Sequence, residues 1–267
     1  MVAFDRVLVS CDDNPAFYGY WPLVGQAWKK LFPEIEVQLI FVTNRKPEDS
    51  LICEYRRWGN VSILPELKCI PTANQGKLGR IYAASTFGKE VVMVNDIDML
   101  PLQRAYYLDK LKYRKSGELL TIGSDYYVGT PHEGKFPMVY TTAEGDVWKR
   151  LVNPRGGSWG EWLGSLKTIR MADDIEDPFK PPNQFSDKSL LRALYMKRRA
   201  EEITIRRADV KPYITNIYSN TISRPHWHLD LEKLNRGEYI QSHMWRPLEG
   251  NKDKLKPMAD YLGITEF

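Results

Sequence analysis

Val91-Val92-Met93-Val94-Asn95-Asp96-Ile97-Asp98 is the stretch on which the reading of this chain turns. Four apolar residues run directly into an Asp-x-Asp, and the apolar Met99-Leu100-Pro101-Leu102 follows at once. Such a run predicts a short buried strand. Side chains two apart on a strand point to the same side, so Asp96 and Asp98 are expected to project together where the strand leaves its sheet. Two hard oxygen ligands placed that way suit Mg²⁺ or Mn²⁺, which also take oxygens from a diphosphate. The bland alternative is a pair of solvated turn aspartates. The apolar flanks argue against it, because burying an acidic pair without a counter-ion is costly.

Upstream, strand-like and helix-like segments alternate. Val7-Leu8-Val9 predicts a first strand that breaks at Asp12-Asp13-Asn14-Pro15. Tyr20 to Phe32 carries apolar residues at helical spacing and stops at Pro33. Val37 to Val42 reads as a buried strand, Leu51 to Trp58 as a short helix, and Asn74 to Phe87 as a second amphipathic helix. This order predicts an α/β fold with a mostly parallel central sheet flanked by helices. Ligands of such sheets bind at the carboxyl ends of the strands, where both aspartate pairs fall.

Downstream the pattern is less regular. Leu119 to Ile122 and Met138 to Thr141 read as strands, and Asp146 to Val152 as a short helix. Residues 153–186 are rich in Gly, Pro, Trp and Asp, and read as loops around a site or a mobile lid. Within them Trp159 and Trp162 suit either sugar contact or loop packing, as do Tyr126 and Tyr127. Ser186 to Arg199 reads as a capped helix. No linker divides the chain, so residues 1–267 read as one domain, with a first half to about residue 105 and an irregular C-terminal half.

The 267 residues are 43% hydrophobic, enough for a sizeable core. A net charge of +4 attracts small anions but forms no Lys/Arg block of the kind that binds nucleic acid. Cys11, Cys53 and Cys69 are odd in number and match no disulfide or zinc spacing, which fits a reducing compartment. No segment has the length and apolarity of a signal peptide or membrane span, so a soluble cytoplasmic protein is expected. The oligomeric state leaves no trace in the sequence.

Ser10-Cys11-Asp12-Asp13-Asn14, the basic Gln75-Gly76-Lys77-Leu78-Gly79-Arg80 and Val94-Asn95-Asp96-Ile97-Asp98-Met99 together resemble the GT-A type of nucleotide-sugar-dependent glycosyltransferases, over roughly residues 5 to 105. The resemblance implies a Rossmann-related, GT-A-like sheet and transfer of a sugar from a nucleoside-diphosphate donor, with uridine first and guanosine open, to a hydroxyl acceptor such as a glycan. It places Asp12 at the nucleoside, Lys77 and Arg80 near the phosphates or sugar, and Mn²⁺ or Mg²⁺ on Asp96 and Asp98. It also implies a third ligand near the C-terminus, for which His243 is preferred over His226 and His228. An inverting enzyme needs a carboxylate base for the acceptor; the candidates are Asp174, Asp187 and Asp173, in that order. Asp187 has a competing explanation as a first-turn acid favoured by its helix dipole. A sugar-1-phosphate nucleotidyltransferase ranks lower, because Asp12-Asp13-Asn14-Pro15 stands where that class has a Gly-rich basic loop. A non-catalytic nucleotide-sugar-binding module is the third alternative.

Overall fold

The computed structural model describes residues 4–68, 70–112, 114–122, 136–166, 187, 190, 191, 194, 204–207, 220–224 and 227–267. The first strand, β1 (Arg6–Asp12), lies near the middle of a mixed sheet. Parallel to it on one side run β2 (Glu36–Val42) and then β3 (Asn60–Leu64); on the other side, also parallel, runs β4 (Val91–Asp96). Antiparallel β7 (Thr141–Glu144) extends the sheet beyond β4, followed by β6 (Glu118–Thr121) and β8 (Thr204–Arg207). Among the described residues the order is β3-β2-β1-β4-β7-β6-β8.

Both faces of this sheet are covered, which is why its central strands are apolar almost throughout. Val7, Val9 and Cys11 point to one face. There they meet α2 (Trp21–Leu31), α5 (Arg104–Leu111) and the C-terminal α8 (Lys252–Tyr261) in a core containing Trp21, Trp28, Phe32 and Tyr107. Leu8, Ile40, Val92 and Val94 point to the other face, against α4 (Thr72–Ala84), α6 (Gly145–Val152) and α7 (Trp159–Leu166). Local chemistry sets the ends of these elements. Asn14 caps the short α1 (Pro15–Tyr18) by accepting from the Ala16 N–H at 3.0 Å, with Pro15 in the first turn. Lys29 and Lys30 sit in the last turn of α2, where the helix dipole favours cations.

Several expectations need correction. The strand placed at Met138–Thr141 lies at Thr141–Glu144, because Tyr140 takes a left-handed backbone (φ 61°) that ends extended structure before it. Residues 159–166, read as loop, form a helix that buries Trp159, Trp162 and Leu163. The short α3 (Ser50–Tyr55) stops three residues before Trp58.

A second sheet was not foreseen. Its strands, β5 (Met99–Pro101), β10 (Gln241–His243) and β9 (Thr221–Ser223), have three residues each. β10 runs antiparallel to β5 with His243 opposite Met99, and parallel to β9 with His243 opposite Ser223. This small sheet carries the C-terminal part of the chain back to the acidic stretch.

Candidate active site

The chain steps from β1 outward to β2 and β3, then returns to the other side of β1 as β4. That reversal makes β1/β4 the switch point of the sheet, and a crevice opens beyond the carboxyl ends of the two strands. The register sets Ser10 level with Asp96, so Asp12 lies just above it. A cavity of about 620 Å³ occupies the crevice, within the size range of small-molecule sites. Asp12, Lys77, Arg80, Asp96, Asp98, Asp187 and His243 all line it.

Asp12 is buried, and its Oδ2 accepts from the Thr72 hydroxyl at 3.2 Å. Burial raises its carboxyl pKa, and the Thr72 hydrogen bond offsets part of that. Asp13 turns away to bind the Thr43 hydroxyl at 2.9 Å and Arg45 Nε at 2.8 Å, tying the ends of β1 and β2 together. Helix α4 comes unusually close to β1 at Gly76. A Cβ there would stand 2.7 Å from the Asp12 nitrogen and 2.9 Å from the Cys11 carbonyl carbon. Both are backbone atoms and cannot give way. Gly76→Ala is therefore expected to cost about 1–3 kcal/mol and to displace Asp12. Urea unfolding checks the first effect; an unchanged midpoint would mean that α4 moves freely on the sheet.

Asp96 and Asp98 do share the cavity, but not through strand alternation. β4 ends at Asp96, Ile97-Asp98 turns, and β5 starts at Met99 in the other sheet. Each aspartate has its own basic partners. Asp96 Oδ1 pairs with Arg80 Nη1, whose side chain is only 3% exposed. The same guanidinium donates through Nη1 to the Asn95 carbonyl and through Nη2 to Asp187 Oδ2, at 2.7 Å for the latter. Burial alone would lower the Arg80 pKa, but Asp96 and Asp187 outweigh it and hold the group firmly charged. Sequence reading set Arg80 beside Lys77 on a helix face reaching for phosphate. The structure buries it as a brace between Asp96 and Asp187, and Lys77 lines the cavity a turn away.

Asp98 is 6% exposed and meets three basic groups at one oxygen. Arg224 Nη1 and Arg246 Nε each stand 3.1 Å from Oδ2, and His243 Nε2 stands 3.4 Å from it. Burial would raise this carboxyl, yet His243, Arg246 and Arg224 together hold it well below the usual carboxylate range. Its backbone carbonyl accepts from the Met244 N–H at 2.9 Å, which locks the Ile97-Asp98 turn to the C-terminal segment. Arg246 also lies over the Phe17 ring, 4.8 Å from its centroid. The Tyr20 hydroxyl donates to the Trp245 carbonyl and fastens the same segment to α2. Arg224 was not singled out from the sequence. Arg224 follows a three-residue strand, too short to show any periodicity.

Other candidates fall elsewhere. Asp173, Asp174, Tyr126, Tyr127, His226 and Cys69 lie outside the described residues. His228 is exposed and away from the cavity, which leaves His243 as the described histidine at the site. Trp159 and Trp162 are 5% and 3% exposed, stack on each other, and donate their indole N–H groups to the Pro65 and Val152 carbonyls. Their packing role therefore wins over sugar contact.

The residues suit a divalent cation in kind. Asp96 and Asp98 offer hard oxygens, and His243 a ring nitrogen, at one cavity. Among the described residues no three acidic, histidine or cysteine side chains are already gathered into a metal cluster, and arginines lie against both aspartates. No described helix is long and apolar enough to cross a membrane.

Sheet order, switch point and helices on both faces match the fold of solved GT-A glycosyltransferases. The structure is similar over 98% of the chain to an active-site mutant of LgtC, covering 97% of that protein with a TM-score of 0.50 and 14% identity. It is likewise similar to the galactosyltransferase LgtC in complex with donor and acceptor sugar analogs, with the same coverage and identity and a TM-score of 0.49. Glucosyl-3-phosphoglycerate synthase from Mycobacterium tuberculosis, in complex with Mn²⁺, UDP-glucose and phosphoglyceric acid, is similar at 11% identity. There 98% of this chain covers 80% of that one, with a TM-score of 0.38. At 14% identity the likeness to the LgtC mutant is one of fold alone. No family model matches the chain, and no curated protein matches it in sequence.

Proposed function

We propose that this chain is a metal-dependent glycosyltransferase, moving a sugar from a nucleoside-diphosphate donor, a uridine diphosphate sugar, to a hydroxyl acceptor. One observation carries the reading. Asp96, Asp98 and His243, which come from two distant stretches, line one cavity at the switch point of a GT-A sheet. The fold supports the class of reaction, and the acidic turn supports its dependence on metal.

In this reading Asp12 lies at the nucleoside end, where β1 leaves the sheet. Lys77 supplies positive charge for the diphosphate. Asp96, Asp98 and His243 hold the cation, which must find His243 neutral to bind it. A bound Mn²⁺ or Mg²⁺ would stabilise the charge that gathers on the departing diphosphate. Arg80 fixes the Asp96 carboxylate, and by pairing with Asp187 it ties α4 to the segment that contains Asp187. Asp187 faces the cavity with one oxygen taken by Arg80, and it is a candidate to receive the acceptor proton, as Asp174 and Asp173 are from the sequence. The C-terminal half is the proposed acceptor side.

Chelation gives a simple test. Nucleotide-sugar hydrolysis, screened across uridine and guanosine diphosphate sugars, is expected to vanish in EDTA and to return with added Mn²⁺. In parallel, UDP with Mn²⁺ at about 100 times its dissociation constant should stabilise the fold by about 2.7 kcal/mol, seen as a raised melting temperature. A response to a nucleoside triphosphate instead would favour a nucleotidyltransferase. Full turnover in EDTA would remove the metal from the account.

A further inference from the structure

Arg224 occupies the two atoms that a cation would need. Its Nη1 lies 3.1 Å from Asp98 Oδ2, and its Nη2 makes a still closer contact with His243 Nε2. Nε2 faces both the Arg224 guanidinium and the Asp98 carboxylate, so the ring's tautomer decides which of the two it bonds, and either way Arg224 stands over that nitrogen. Nε2 is the ring atom that faces Asp98 Oδ2, at 3.4 Å, and so the one that a cation shared with Asp98 would use. Arg224 therefore covers the ligand atoms of Asp98 and His243 at once, and Arg246 Nε covers the same Asp98 oxygen at 3.1 Å.

Charge around the cavity points the same way. Among the described residues its lining has four carboxylates, Asp12, Asp96, Asp98 and Asp187, against Lys77, Arg80, Arg224 and Arg246. The lining is balanced as it stands. A bare dication must compete with a guanidinium for Asp98, and a bare diphosphate must pull guanidiniums off Asp98. A dication and a diphosphate arriving together lift both penalties, because each takes what the other displaces. A guanidinium fork matches a phosphate as well as a carboxylate. The side chains of Arg224 and Arg246 are 20% and 36% exposed, so each has room to turn.

We propose that Arg224, with Arg246 beside it, is a placeholder for the cation that becomes a ligand of the donor's diphosphate, so that metal and nucleotide bind cooperatively rather than independently. This rests on the reading of the cavity as a metal-dependent donor site. Arg224 is the main element because it covers both Asp98 and His243, whereas Arg246 touches Asp98 alone and leans on Phe17.

The test measures Mn²⁺ binding by the electron paramagnetic resonance signal of the free ion, first with MnCl₂ alone and then with saturating UDP. The wild-type protein is expected to bind Mn²⁺ at least about tenfold more tightly when UDP is present, and by linkage to bind UDP more tightly by the same factor when Mn²⁺ is present. Arg224→Gln should bind Mn²⁺ alone more tightly than wild type and lose most of the enhancement by UDP. Arg224→Lys, which keeps the charge but loses the fork, should fall between the two. Arg246→Gln should shift in the same direction by less, and it provides the reading if Arg224→Gln does not fold. If wild type binds Mn²⁺ and UDP but the arginine variants leave both Mn²⁺ affinities unchanged, the placeholder role is wrong and the donor site stands. If wild type binds neither, the donor-site reading itself fails, and the placeholder role goes with it.

Discussion

Asp98→Ala should lower sugar transfer by roughly a thousandfold, about 4 kcal/mol of barrier, while leaving the protein folded. The lost term is the cation's hold on the departing diphosphate, to which Asp98 contributes a hard ligand beside His243. Stability should change little, because the partners left behind reach water: Arg246 is already 36% exposed and Arg224 20%. Asp98→Asn keeps the shape and a hydrogen-bond acceptor but not the charge, and should be nearly as inactive. Initial rates with Mn²⁺ present, compared with thermal melts of the same samples, separate the two effects. A variant that melts normally and turns over like wild type would remove Asp98 from the site.

Arg80→Met should have the largest effect on stability, a loss of about 3–5 kcal/mol in urea unfolding. Arg80 is 3% exposed and serves two carboxylates, of which Asp187 is 8% exposed. Removing the guanidinium leaves Asp187 buried without a counter-ion, which costs far more than the pair contributed. Asp96 loses its tether as well, so Mn²⁺ binding should weaken with stability. Arg80→Lys keeps a charge but cannot fork between the two acids, and should lie between wild type and Arg80→Met. A variant within 1 kcal/mol of wild type would show that water reaches Asp187 freely.

The central sheet was readable because its inner strands are mostly apolar on both faces, and β1 and β4 end in Asp12 and Asp96. Val91–Val94 leading into Asp96 could hardly be another element. The placement of Arg80 was readable in principle and was missed. Gly76 precedes it by one helical turn and Gly79 by one residue, and both glycines face the sheet, with Gly79 against Ile40. A residue four positions after a sheet-facing glycine lies on the same face, so Arg80 was bound to point inward, and a buried arginine needs carboxylates.

What brings His243 and Arg224 to Asp98 could not be read. Each strand of the small sheet has three residues, below the length at which alternation shows, and the pairing of β10 with β5 joins segments more than a hundred residues apart. His243 was reached through resemblance and Arg224 not at all. The Trp159–Trp162 stretch misled for a different reason. Four glycines in or beside it suggested a loop, while a helix formed around the buried indoles.

The most direct test is a crystal of this protein grown with MnCl₂ and UDP, with anomalous diffraction used to locate manganese. The account predicts one manganese site bounded by Asp96, Asp98 and His243, with the diphosphate on its open side and the nucleoside toward Asp12. Manganese bound elsewhere, or UDP seated in the cavity with no metal near either aspartate, would contradict it.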